Sequence, residues 1–420
     1  MTAKRILFLV ILLGLWSDPL LGQQYPLQYL EQALENNPGL RAQYLDYEAA
    51  TMQVDVATGL PAPELSAGFF VPSMMRFMGD QVFDASLMQM FPWFGTLSAR
   101  GSAAQEMAGA AYHQYRNQRN TLYLEVTSRW FDLYQTSQQM NILNRFIGIL
   151  KEREELVYSR YEGGVQSGGL ALDIYRLEMQ LNELENRYQR LQEDYTARER
   201  SFNILLNRDP DQQVQVPDTL LMPDGPGAGA FPDSAAFWAN PAVARAQAQA
   251  RAAEYEQELA VLNTRPVVGL GLQYSLLTPG DAAMGQMDGG SMVMPMVSVS
   301  LPIYGKKNRA MRRQGEIRAE MARSRQQNQV NDIAARWAQI AAENNNLARD
   351  RKFLESQLEV NRRAWELVVT SYSGGQEGFE ELLRLQDQLL ELEWRLLETI
   401  VGHHQAAARM DMLMARGVFE

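Results

Sequence analysis

A long-period duplication constrains this chain more than any other feature. Asn37-Pro38 opens one helical segment, and Asn240-Pro241 opens another 203 residues later. Phe91-Pro92-Trp93-Phe94-Gly95 returns as Leu301-Pro302-Ile303-Tyr304-Gly305. Tyr161-Glu162-Gly163-Gly164 returns as Tyr372-Ser373-Gly374-Gly375 after 211 residues. That period is far too long for a solenoid. Each half therefore repeats a whole plan: a helix, two amphipathic strands and a long helical hairpin.

The strands show a period of two. Leu65, Ala67, Phe69 and Val71 alternate with Ser66, Gly68 and Phe70, and Phe83, Ala85, Leu87 and Phe91 with Asp84, Ser86 and Met88. In the second half Val268, Leu270, Leu272, Tyr274 and Leu276 alternate with Gly269, Gly271, Gln273 and Ser275. Val297, Val299 and Leu301 alternate with Ser298 and Ser300. The spacing predicts strands over 62–72, 82–92, 266–277 and 292–302, with loops at Pro72–Gly79 and Thr278–Gly290. A tilted strand crosses a bilayer in about 9–11 residues, which matches these segments. One face is apolar and the other small or polar, as for lipid on one side and water on the other. A half-buried soluble sheet shares this alternation. Four such strands in two hairpins behind an export leader favour a membrane barrel. Four strands cannot close one, since about eight are needed, and lipid does not tolerate an open edge. Copies of the chain must supply the rest.

The helices show a period near 3.5. Helices are expected over 27–59 and 238–263, and helical hairpins over 96–206 and 306–417. Thr96 to Tyr161 contains no proline; at ~1.5 Å per residue a continuous helix there is roughly 100 Å long. Its apolar rows are Val126, Leu133, Met140 and Ile147, then Leu143, Leu150 and Val157. Leu170, Ile174, Leu177, Leu181, Leu184, Tyr188, Leu191 and Tyr195 step by four and three, a heptad seam that keeps facing one partner. The last helix has two seams: Leu382, Leu385, Leu389, Leu392 and Leu396, and Leu383, Leu390 and Leu397. Two seams call for two neighbouring helices, as in the wall of a closed helical cylinder. An ordinary antiparallel coiled coil explains only one seam per helix. Five prolines, Pro210 to Pro232, mark 207–237 as the link between a first repeat at 23–206 and a second at 238–420.

Lys4, Arg5, the apolar run Ile6 to Trp16 and Gly22 mark 1–22 as an expected secretory signal. No later stretch reaches the ~20 apolar residues of a spanning helix. The chain has no cysteine, which excludes disulfides, a thiolate metal site and a lipid-modified cysteine at the mature N-terminus. A net charge of −11 argues against a nucleic-acid partner. No nucleophile motif, P-loop or dinucleotide fingerprint is present, so no enzyme activity and no cofactor are expected. Of the three histidines, His403 and His404 are neighbours on a helix and point to different faces, at surface or seam positions; His113 is expected at the surface.

Two residue types remain. Methionine occurs 21 times, with Met74, Met75 and Met78 in the first strand loop and Met284, Met287, Met292, Met294 and Met296 through the second. Thioethers suit Cu(I), which makes Met74, Met75, Met78, Met294 and Met296 candidate soft-metal contacts. Flexible apolar filling is the competing reading. Glu377, Glu380 and Glu381 follow the second helical turn. Around a threefold axis they form an acidic ring that favours cations; they also suit a helix N-terminus.

Taken together, the chain resembles the TolC-type outer-membrane efflux proteins over nearly its whole length. The resemblance rests on the duplicated plan, the Asn-Pro openings and the strand-end motifs at Pro92–Gly95 and Pro302–Gly305. It rests also on the turns. Tyr161-Glu162-Gly163-Gly164, followed by Ser167 and Leu172-Asp173, resembles the family's tip signature, and Tyr372-Ser373-Gly374-Gly375, followed by Leu382-Leu383, resembles its partner. The resemblance implies a mostly α fold with membrane β-structure, built as a homotrimer. Long antiparallel coiled-coil helices form an α-barrel, and four strands per chain enter a 12-stranded β-barrel. It implies the exit duct of a tripartite pump, in the outer membrane with its helical tunnel in the periplasm. The implied partners are outer-membrane lipid, a periplasmic adaptor and an inner-membrane pump of the RND type. Adaptor contacts would fall on Tyr161, Gly163, Gly164, Ser167, Asp173, Tyr372, Gly374 and Gly375, and Glu381 nearest the family's acidic constriction. The members closest in flavour serve heavy-metal efflux, copper and silver included. The alternative is a secreted or periplasmic coiled-coil scaffold or adhesin without transport, which would share the heptads and leader but would not need lipid-length strands.

Overall fold

The computed structural model describes residues 27–76, 79–162, 168–220, 231–279, 289–373 and 379–415. The expected leader lies outside them, as do Met78, Gly163, Gly164, Ser167, Met284, Met287, Gly374, Gly375 and Glu377. In chain order the elements are α1 (Leu27–Asn36), α2 (Pro38–Thr58), β1 (Glu64–Arg76), β2 (Gly79–Phe91), α3 (Thr96–Glu162) and α4 (Gly168–Leu205). Then come α5 (Ser234–Phe237), α6 (Pro241–Leu262), β3 (Val267–Thr278), β4 (Gly290–Ser300), α7 (Gly305–Ser373) and α8 (Phe379–Leu413). Among the described residues no helix is long and apolar enough to cross a membrane.

Three local expectations need correction. The expected single helix over 27–59 is broken at Asn37 into α1 and α2. Pro38 has no N–H to continue the ladder, and Asn37 Oδ1 instead accepts the Leu40 amide at 3.0 Å, capping α2. Most of the expected Pro72–Gly79 loop is strand, because β1 runs on to Arg76 and β2 begins at Gly79. The register shifts between Phe69 and Met74, and an irregularity of this kind accommodates a proline that cannot donate to a neighbour. β4 ends at Ser300, ahead of Pro302.

The described residues group into two compact units, and each draws on both halves of the sequence. One unit takes in Ala42–Arg116 and Pro241–Asn331. It holds a four-stranded antiparallel sheet in the order β1-β2-β3-β4. The halves meet inside that sheet, where Asp84 pairs with Ser275, Leu87 with Leu272 and Phe91 with Val268. Glycine sets a close helix approach in both halves: a methyl on Gly101 would stand 2.6 Å from Thr58 Cγ2, and one on Gly315 3.0 Å from Ala260 Cβ.

The described residues of the other unit lie within 27–41, 117–240 and 332–415. Its core is the helical seam. Leu143, Leu150 and Val157 of α3, Leu177 and Leu184 of α4, and Leu382, Leu389 and Leu390 of α8 are buried in one cluster. Both α8 seams are used, since Leu382, Leu385 and Leu389 are buried in one and Leu390 and Leu397 in the other. The link after α4 is pinned to the helices. Trp130 Nε1 donates to Gln215 O at 3.2 Å, and the Gln215 amide donates to Tyr29 Oη at 2.8 Å. The duplicated Asn-Pro motifs also do matching work. Asn37 Nδ2 donates to Leu205 O at 3.3 Å, and Asn240 Nδ2 donates to Leu413 O at 3.0 Å. Each asparagine thereby satisfies a carbonyl at the end of a return helix, where no intrahelical partner exists.

Candidate functional site

The sheet has two chemically opposite faces. Register places Leu65, Leu87 and Leu272 in one row, and Phe69, Phe83 and Leu276 in another. Side chains on this face have little against them: Leu65 is 74% exposed, Phe69 79% and Val297 71%. A contiguous apolar surface of this kind needs a nonaqueous partner. At the strand ends Phe94, Ile303 and Tyr304 are exposed as well, with Trp93 partly so. That is the composition of an interfacial aromatic girdle.

The opposite face is polar and internally bonded. Ser66 Oγ and Ser86 Oγ share a hydrogen bond of 2.7 Å. Asp84 Oδ2 accepts from Gln81 Nε2 at 3.1 Å, from Ser275 Oγ at 2.9 Å and from Gln273 Nε2. Of the methionine candidates, Met294 and Met296 stand on this face in register with Gln273 and Gly271. Met74 is half exposed in β1, beside Gln81 in register. Met75 pairs with Asp80, and its side chain lies outside the described residues. Met88 and Met90 of β2 also belong to the polar face, in register with Gly271 and Gly269. Neither is among the candidates that the sequence offers. Their signal was the period of two, which carries Asp84 and Ser86 forward to Met88 and Met90.

In the helical unit, Glu380 and Glu381 have arginine partners. Glu381 Oε2 accepts from Arg384 Nε at 2.8 Å, and Glu381 Oε1 contacts the same guanidinium. That hydrogen bond holds the Glu381 carboxyl below its ordinary range. Glu380 Oε2 lies 3.2 Å from Arg176, which also lies 3.8 Å from Asp173. Burial pushes the Asp173 carboxyl up, with Arg176 opposing. Arg176 thus joins a tip candidate on α4 to a gate candidate on α8. Tyr372 at the end of α7 packs on Phe379 at the start of α8, ring centroids 5.5 Å apart. Arg176 and Arg384 were missed in the sequence, although each stands three residues after its acid, a spacing at which helical side chains meet. Tyr161 lies in the last turn of α3, with its side chain outside the described residues.

The histidines divide. His404 is buried at a seam, its ring 5.0 Å from that of Phe131. Neither ring nitrogen has a partner among the described residues, and burial pushes its pKa down to about 4. His113, expected at the surface, is half-buried, and burial lowers it too. Among the described residues no group of three or more histidine or acidic side chains is placed to hold a metal.

No protein-family model matches the sequence, and no curated protein sequence does. Solved structures do match. CusC, described for its folding and transmembrane channel formation, aligns with a TM-score of 0.77 at 15% identity, over 95% of each chain. The outer membrane protein VceC of Vibrio cholerae aligns with a TM-score of 0.76 at 15% identity, over 94% of this chain and 96% of its own. The MtrE outer membrane channel of Neisseria gonorrhoeae, in its open state, aligns with a TM-score of 0.72 at 17% identity, over 92% and 88%. At these identities the likeness carries the fold: long helical hairpins with four antiparallel strands per chain, the architecture of outer-membrane channels of the TolC type.

Proposed function

We propose that this chain, with its outer-membrane-channel fold, is the exit duct of a tripartite efflux system: a trimeric outer-membrane conduit, passive and not an enzyme. One observation carries the reading. The sheet pairs β1 and β4 on one side only, while its apolar face stands exposed. Lipid accepts such a face and rejects such edges. Pairing β1 of one copy with β4 of the next resolves both, and three copies give a 12-stranded barrel with the bonded polar face inward. A scaffold or adhesin would have no use for four strands of this kind.

The helical turns then serve an adaptor that links the duct to an inner-membrane pump, with Asp173 and Tyr372 near the contact. Glu377, Glu380 and Glu381 form the acidic gate. The Arg176–Glu380 pairing between α4 and α8 supports a gate that is latched by an ion pair as well as charged. The cargo proposed is a soft heavy-metal cation such as copper or silver, supported by the methionines on the polar face. The test is extraction in detergent, mass measurement and reconstitution in planar bilayers. A trimer that fractionates with the outer membrane and conducts ions is expected. A monodisperse soluble monomer overturns the reading.

A further inference from the structure

The polar face of the sheet carries sulfur as well as oxygen. Across three strands, Met88 pairs with Gly271 and Gly271 with Met296. In the neighbouring row Met90 pairs with Gly269 and Gly269 with Ser298. The glycines of β3 leave a floor without side chains, and the flanking side chains fold over it. A methyl on Gly269 would meet Ser298 Oγ at 2.3 Å, Met90 Sδ at 2.7 Å and Met88 Sδ at 3.1 Å. One on Gly271 would meet Met88 Sδ at 3.0 Å. Ser298 Oγ stands 3.8 Å from Met88 Sδ and 3.9 Å from Met90 Sδ. Two thioethers and a hydroxyl thus converge above one residue, with Met296 across Gly271 from Met88.

Core packing does not account for this cluster. Its members are only half-buried, and the adjoining rows of the same face are Ser66–Ser86–Gln273–Met294 and Gly68–Asp84–Ser275–Met292, polar over three of their four strands. Flexible thioethers gain little as apolar filling on such a surface. As donors they are neutral, soft and polarizable, which selects monovalent soft ions over hard divalent ones. The absence of cysteine leaves thioether as the only sulfur donor in the chain.

We infer that Met88, Met90 and Met296, with Ser298 beside them, form a binding site for Cu(I) or Ag(I) on the polar face of the sheet. The site deepens the duct reading by giving the cargo class a place on the wall, and rests on that reading only for this face being wet. Neutral ligands suit a conduit, because an ion must leave a wall site as readily as it enters. The ion binds in its monovalent state, and no electron transfer is involved.

The test uses the full-length protein purified in detergent, titrated with Ag(I) against a chromophoric chelator, and separately with Zn(II). Ag(I) binding without Zn(II) competition is expected. The Met88→Leu/Met90→Leu pair conserves volume and should weaken binding by roughly tenfold or more, the scale felt when groups supporting a metal are lost. Gly269→Ala keeps every sulfur but drives a methyl between them, and should weaken binding as well. Met179→Leu, an exposed methionine on α4 away from the sheet, should bind as the parent does. Parental binding by the double variant overturns the site, as does parental binding by Gly269→Ala or an equal loss from Met179→Leu. If the double variant does not fold, Gly269→Ala and Met296→Leu decide. Ag(I) binding by a protein that conducts nothing removes the duct and keeps the site; conduction without binding does the reverse.

Discussion

Leucine does opposite things in the sheet and in the helical hairpins. Leu65, Leu270 and Leu272 stand half or more exposed on an ordered, hydrogen-bonded sheet. Leu143, Leu150 and Leu382 are almost wholly inaccessible in the seam. The residue type is the same, and the repeat differs: two in the strands, near 3.5 in the helices. The seam is an ordinary core, closed within the chain. The sheet face is ordered without being covered, so its partner lies outside the chain. Exposure of apolar side chains is therefore a statement about solvent, and here it separates a face that needs a nonaqueous partner from one closed against water.

The largest effect should come from the seam. Leu382→Ala should cost about 2–5 kcal/mol in denaturant unfolding, through lost transfer energy and the cavity left. Leu65→Ala in detergent should stay within about 0.5 kcal/mol. Comparable costs would erase the distinction between the two regions. Next is a charge on the lipid face. Leu272→Arg should cost about 2–4 kcal/mol in folding into lipid vesicles, whereas Ser86→Arg, on the polar face in the adjoining row, should cost much less. An inverted ranking would turn the sheet inside out.

His404 sharpens the contrast from the core side. Unfolded, it takes a proton near the ordinary imidazole pH; folded, it stays neutral down to about 4. Stability is therefore full above the ordinary value and falls as pH drops toward about 4, by roughly 3 kcal/mol in all. His404→Leu should flatten that acid limb in a series of melts. Smaller again are the duplicated asparagines. Asn37→Ala and Asn240→Ala should each cost about 1 kcal/mol, and unequal costs would show that only one half depends on its tie. The smallest effect on stability belongs to Glu381→Gln, since the carboxylate is exposed. Its pairing with Arg384 is present at neutral pH and fades as pH falls below the ordinary carboxylate range. The gate reading expects the change to appear in the reversal potential of bilayer currents, with the melting curve almost unmoved.

Periodicity was legible in the chain because burial on one face imposes it. The period of two in Val268–Leu276 and the heptads of Leu177–Leu191 and Leu382–Leu396 needed no coordinates. Asn37 and Asn240 could be seen as helix openings, but their bonds to Leu205 and Leu413 could not. The histidine pair could be assigned to different faces, while the burial of His404 against Phe131 depended on a helix far away in sequence.

By itself the sequence determined the duplication, the element types, the two-faced strands and the helical seams, because each is a local pattern repeated along one element. Only the tertiary structure decided the pairing of β2 with β3, which joins the halves and brings Met88 and Met90 onto the glycines of the other repeat. It alone brought Arg176 to Glu380. These juxtapositions link residues about two hundred positions apart, and no periodicity within a segment encodes the register of one segment against another.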